Sequence, residues 1–164
     1  MRRFLPEMPV IAAFMLLSFA MGKGAFPQAM KSDHWSRTEL MERAKHLQEL
    51  AADKGSASEI LEKYPHHYTM LAFRNRSGGA EVHANYADVF FVVEGRTTLI
   101  TGGEVVDGKI TEPGETRGAS LKGGTRQELQ AGDVVHIPAG MPHQMMLAEG
   151  VTVTYFVVKA EETR

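Results

Sequence analysis

An all-β barrel or sandwich, led by one or two short helices, is the fold this sequence predicts. Beyond Pro65 the chain breaks into many short runs rich in Val, Ile, Phe, Tyr and Thr, separated by Gly, Pro, Asn and Asp. That texture belongs to antiparallel strands joined by tight turns. Helical periodicity is confined to the residues before Pro65. The 164 residues, 43% of them hydrophobic, are enough for one domain with a real core, and with no cysteine that core works without disulfides.

The elements follow in order. Arg2 and Arg3 precede an apolar run, VIAAFMLLSFAM, over residues 10–21. A basic start, an apolar middle and small residues after it make a secretory signal. Cleavage is expected after Ala20 or, as a second candidate, within residues 22–25; we assign residues 1–24 to the signal. An uncleaved N-terminal anchor is the alternative, although the run is short for a bilayer span, which takes about 20 residues. Export puts the mature protein in the periplasm or outside the cell, with no stable membrane span after cleavage. Residues 25–65 then hold a linker and the helices. Ser36 followed by Glu39 fits a capping box, and Leu40, Ala44, Leu47 and Ala51 recur at helical spacing until Gly55. Trp35, just before the cap, is placed to staple the helix to the body. Ser56 with Glu59 repeats the cap pattern and predicts a second short helix ending before Pro65.

The barrel spans residues 66–160. Strands are predicted over 68–74, 80–85, 88–94, 96–101, 125–129, 134–137, 143–148 and 152–158, with weaker ones at 104–106 and 118–121. The strand DVFFVVE is apolar on both faces, so something covers each of them: the barrel interior on one side, helices or a second subunit on the other. The glycine-rich stretch from Gly102 to Gly124 reads as a loop over a cavity mouth. Arg117 within it or Arg126 after it would hold a carboxylate ligand, or else be a solvated surface arginine.

Composition excludes several functions. A net charge of −2 leaves no basic footprint for nucleic acid. Without cysteine there is neither a thiolate metal site nor a cysteine nucleophile.

Two stretches carry chemistry. Glu81, His83 and Asn85 alternate, so on a strand they share one face, and Asp88 opens the next strand across a short turn. GDVVHIPAGMPH, residues 132–143, closes a short strand with a Pro-Ala-Gly turn that aims His143. Two imidazoles and one or two carboxylates suit a divalent transition metal. On spacing alone, a half-exposed hairpin with solvated carboxylates is the plainer reading of residues 81–88.

The second stretch also resembles a known motif. Gly132, Pro138, Gly140 and His143 match G-x5-P-x-G-x2-H, the second motif of the cupin superfamily, at every position. Leu147 stands where an Asn is usual. The first cupin motif, G-x5-H-x-H-x3,4-E-x6-G, is present in altered form: Asn75 for its Gly, Glu81 for its first His, His83 for its second, Asp88 for its Glu, and Gly95 at its end. The resemblance covers about residues 66–158. It implies a double-stranded β-helix, the cupin or jelly-roll barrel, with a metal (Mn, Fe, Zn or Ni) held inside by His83, His143, Asp88 and Glu81. The oxygen-rich set leans toward Mn or Fe. It further implies a small-molecule ligand and, weakly, a homodimer.

Within that frame Glu81, if displaced from the metal, becomes a candidate general base. His136, Phe90 and Tyr86 are candidate pocket residues, and Gln144 should point the opposite way from His143. Fold does not fix function: a metalloenzyme of oxygenase, isomerase or lyase type and a metal-free, non-enzymatic ligand-binding cupin both remain open from the sequence.

Overall fold

The computed structural model describes residues 32–162. The expected signal over residues 1–24 and the first part of the expected linker lie outside the described residues. Helix α1, Arg37–Ala51, begins as its sequence predicts. The Ser36 hydroxyl accepts from the Glu39 amide at 3.2 Å, and the Glu39 carboxylate accepts from the Ser36 amide at 2.9 Å. The buried stripe is Leu40, Ala44, Leu47 and Ala51. It packs with Leu71, Phe73 and Val93, while Trp35 joins the same cluster and carries Arg43 over its ring at 5.1 Å. None of the described helices is long and apolar enough to cross a membrane.

The second helix expected from Ser56 is a strand. β1, Ser56–Lys63, pairs antiparallel with β2, His67–Arg74. The cap pattern misleads because Glu59 has a different partner: its carboxylate reaches Arg43 of α1 at 3.4 Å. Ala57 and Leu61, whose spacing also fits a helix, lie against the α1 cluster, with a register shift between Ile60 and Glu62. Pairing with β2 outweighs local propensity.

The remaining strands are β3 (Ala80–His83), β4 (Tyr86–Thr101), β5 (Glu104–Val106), β6 (Lys109–Glu112), β7 (Glu115–Gly118), β8 (Ser120–Lys122), β9 (Thr125–Gln130), β10 (Val134–Ile137), β11 (His143–Met146) and β12 (Val153–Glu161). The two strands expected at 88–94 and 96–101 are one. β4 does not stop at Gly95; it passes through it at φ +82°, where a Cβ would sit 2.0 Å from the Thr152 carbonyl oxygen. The first half of β4 pairs with β12 and β10, the second half with β11 and β9. One strand therefore belongs to both walls of the barrel. The first wall runs β1-β2-β12-β4, and the second continues β4-β11-β3-β7-β6. The expected loop over residues 102–124 is mostly strand: β6 and β7 form a hairpin that extends the second wall from β3, and β5 pairs with β8. Its glycines serve tight turns, as Gly114 does at φ +83° between β6 and β7.

Between the walls lies a core that includes Phe90, Val92, Leu99, Ile137, Met145, Val153, Tyr155 and Val157. Outside the first wall lies the α1 cluster. β4 is thus apolar on both faces because its inner residues meet the core and Val93 meets the helix.

Candidate metal centre

Strand alternation decides which side chains enter the barrel. Along β4, Asp88, Phe90 and Val92 are the buried, inward residues. The register sets Lys159 and Val157 of β12 opposite Asp88 and Phe90, and Tyr68 of β2 opposite Lys159. On the other wall Glu81 lies opposite both Arg117 of β7 and His143 of β11, and His83 lies opposite Glu115. Cross-strand pairing therefore gathers charged residues from five strands at one end of the core.

His143 arrives by the predicted turn. After Ile137 the chain closes on itself, with the Met141 amide donating to the Pro138 carbonyl at 3.1 Å and Gly140 at φ +77°. The Gly140 amide donates to the His83 carbonyl at 2.7 Å, so the turn that carries one histidine is tied to the strand that carries the other.

Both imidazoles are buried, His83 at 5% exposure and His143 at 3%. The Nδ1 of His83 lies 2.7 Å from a Glu115 carboxylate oxygen, and the Nδ1 of His143 lies 3.1 Å from the Met141 carbonyl. Each acceptor fixes the ring proton on Nδ1 and leaves the Nε2 lone pair facing inward. Neither Nε2 has a hydrogen-bond partner. Both face the same two carboxylates: Asp88 Oδ2 at 3.4 Å from His83 and 3.7 Å from His143, and Glu81 Oε2 at 3.6 Å and 4.0 Å. Burial pushes the His143 imidazole below its usual range, so it is a neutral donor of a lone pair.

Each carboxylate already has cations. Lys159 Nζ stands 2.6 Å and 2.9 Å from the two oxygens of Asp88, and both residues are buried. Arg74 reaches Glu81 at 3.1 Å and Arg117 reaches it at 2.5 Å, while Arg117 also binds Glu115 at 3.1 Å. Arg74 is anchored in turn by donating to the Tyr155 hydroxyl at 3.1 Å. Burial works to raise the Glu81 pKa, but His83, Arg117, Arg74 and His143 together hold it well below the usual carboxylate range. Arg74 on one Glu81 oxygen and Arg117 on the other keep the carboxylate ionised and fixed in place.

The residues fit a divalent ion. Glu81, His83 and His143 present ligand atoms within 4.8 Å of one another. Two buried, partnerless nitrogens whose other ring nitrogens are hydrogen-bonded to a carboxylate and a carbonyl form the arrangement that metal-binding histidines adopt. Asp88 faces the same point but spends its charge on Lys159.

A cavity of about 630 Å³ opens beside these groups. Tyr86 and Phe90 line it, as does Tyr68, which meets Tyr86 edge-on with ring centres 5.8 Å apart. His136 does not. It pairs with Val89 on the outer face of β4, is largely exposed, and lies 3.9 Å from Glu162. Gln144 points away from the centre, accepting from the Leu121 amide and donating to the Gly78 carbonyl.

Three contributors were missed from sequence. Arg74 and Lys159 sit at inward positions of β2 and β12, where the alternation Met70, Ala72, Arg74 and Tyr155, Val157, Lys159 would have found them. Glu115 lies in the glycine-rich stretch and gave no strand signal.

Solved structures place this architecture. A protein with a double-stranded β-helix domain from Klebsiella pneumoniae superposes over 79% of this chain and 90% of its own, with a TM-score of 0.54 and 14% identity. The cupin domain of Schizosaccharomyces pombe Cnp3 covers 65% of each chain at a TM-score of 0.50 and 10% identity. The chain has the cupin fold. The DMSP lyase DddQ from Ruegeria pomeroyi is similar over 64% of this chain at a TM-score of 0.47 and 13% identity, and the chain spans only 46% of that protein. No protein-family model and no curated protein matches the sequence. In cupin terms the second motif is intact at Gly132, Pro138, Gly140 and His143. The first motif keeps His83 and Gly95 but exchanges its leading Gly, first His and Glu for Asn75, Glu81 and Asp88.

Proposed function

We propose that the protein is an exported, metal-binding cupin that acts on a small molecule in the cavity beside Tyr68, Tyr86 and Phe90. Its ligands are His83, His143 and Glu81, with Asp88 held next to them by Lys159. The observation that carries this reading is the pair of buried Nε2 atoms, each without a partner and both aimed at the same carboxylates. An apolar substitute would be expected at these positions if they served packing alone, since an unsatisfied buried polar atom costs about 1–3 kcal/mol.

When bound, a divalent ion supplies Lewis-acid polarisation of a ligand oxygen. The chain's own residues do the rest. Glu115 and the Met141 carbonyl orient the imidazoles. Arg74 and Arg117 hold the Glu81 carboxylate in place and ionised. Phe90 and Tyr155, with ring centres 5.2 Å apart, floor the cavity with apolar surface and limit water below the centre.

Elemental analysis of protein purified after growth with added Mn, Fe, Zn and Ni, followed by titration of stripped protein with Mn²⁺ or Co²⁺, tests the reading. About one equivalent is expected, lost in His83→Ala, His143→Ala and Glu81→Gln and retained in Asp88→Asn. Less than about one-tenth of an equivalent, with no uptake on titration, overturns it. Cell fractionation and N-terminal sequencing of the mature chain test export, with a start after Ala20 or shortly beyond expected.

A further inference from the structure

The charges around the centre are balanced before any metal arrives. Three carboxylates (Glu81, Asp88, Glu115) face three cations (Arg74, Arg117, Lys159), linked by contacts of 2.5 Å to 3.1 Å. Both histidines are neutral when their Nε2 lone pairs are engaged. Glu112, which also lines the cavity, is exposed on β6, where water screens it. A divalent ion bound to Glu81, His83 and His143 therefore leaves two positive charges uncompensated in a largely buried site. Uncompensated charge at low dielectric is costly, and the remedy is a partner of opposite sign.

We infer that the cavity takes a dianionic small molecule, of the dicarboxylate class, and that this ligand and the metal bind cooperatively. The inference rests on the metal-binding reading above. The geometry agrees with the charge arithmetic. Lys159, Arg74 and Arg117 line the 630 Å³ cavity together with the carboxylates they pair with, so the wall is balanced and the metal's own two charges are what a ligand in this space meets. Arg117 lines the cavity with side-chain exposure of 43%, its two terminal nitrogens held by Glu81 and Glu115. Tyr68 and Tyr86 supply hydroxyls on the same lining. Lys159 is the positioning residue: by pairing with Asp88 it cancels the charge that would otherwise neutralise half of the metal's own.

The coupling has a reciprocal consequence. A dianion should strengthen metal binding by the same factor by which the metal strengthens dianion binding.

The test uses the full-length protein after metal stripping. Co²⁺ binding is titrated by its visible absorption, alone and with oxalate, malonate or succinate, and with acetate, propionate and butyrate as monoanion controls, correcting for chelation in solution. At least one dicarboxylate should tighten Co²⁺ binding about tenfold or more, with little effect from any monoanion. Lys159→Met should make a monoanion sufficient, because the balance without metal then stands at −1. Arg117→Gln makes the same one-charge change at a half-exposed side chain and should act alike even if the buried variant fails to fold. Tight Co²⁺ binding that no dicarboxylate improves by more than about twofold overturns the inference and leaves the metal reading intact. An unchanged preference in Arg117→Gln also overturns it. Absence of Co²⁺ binding under every condition overturns both.

Discussion

Removal of the His143 imidazole separates a structural role from a metal-holding one. In metal-free protein His143→Ala loses a buried ring packed 6.3 Å from Phe90 and 5.1 Å from His83, and it strands the Met141 carbonyl. Against that, it relieves the desolvated Nε2, which has no partner. The opposing contributions leave a net cost of about 1–2 kcal/mol. With free metal at a hundred times its dissociation constant, the native protein gains about 2.7 kcal/mol and the variant close to none. At this chain length that gain is roughly 8 °C of melting temperature. Urea unfolding followed by circular dichroism, run in chelator and again in Mn²⁺ or Co²⁺, measures both differences. A gap between native and variant that grows by about 2–3 kcal/mol on adding metal is the expected result. If the gap is the same in chelator and in metal, His143 is a packing residue and the ligand assignment fails.

Two further perturbations probe the neighbouring charges. Lys159→Met leaves the Asp88 carboxylate buried without its cation and should destabilise metal-free protein by about 3 kcal/mol, with much of that recovered in the double variant Lys159→Met/Asp88→Asn; additive losses in urea midpoints would refute a coupled pair. Metal-free protein should also lose stability as pH falls. Burial lowers the folded pKa of His143, so its contribution is complete above the ordinary imidazole value near 6.5 and declines below it; that of Glu81 is complete above about 4.5 and declines below that. Urea midpoints at pH 7.5, 6 and 5 should therefore fall progressively, and His143→Asn should flatten the upper part of the curve; an equal slope in that variant would remove His143 from the account.

Local signals were most legible where one short segment decides the outcome. The Ser36 and Glu39 cap, the stripe from Leu40 to Ala51, and the turn from Pro138 to His143 each appear as read, because their geometry is set by neighbours within a few residues. β1 was not legible for the opposite reason. Its cap pattern and its Ala57–Leu61 spacing suit a helix equally well, and only pairing with the next strand β2 and the contact with Arg43 of α1 decide between them. The centre divides the same way. Glu81, His83 and Asp88 were visible from alternation and motif together. Of their cations only Arg117 was singled out; the alternation puts Lys159 and Arg74 on the inward face, but it takes the register to set them opposite Asp88 and beside Glu81. His136 shows the limit of proximity in sequence: it sits two residues before Pro138, yet its parity on β10 turns it to the outside.

On the metal-binding proposal, the bond from the Gly140 amide to the His83 carbonyl has a consequence for how an ion would enter and leave. The gap between the two imidazoles is templated by main chain, whether or not an ion is bound. A guest that finds its donors already spaced needs little ordering of the protein, so exchange should proceed with the barrel closed and folded. Selection among ions then becomes a matter of radius against a gap of given width. A replacement at Gly140 that shifts the turn by a fraction of an ångström would change which ion fits while leaving every ligand in the chain.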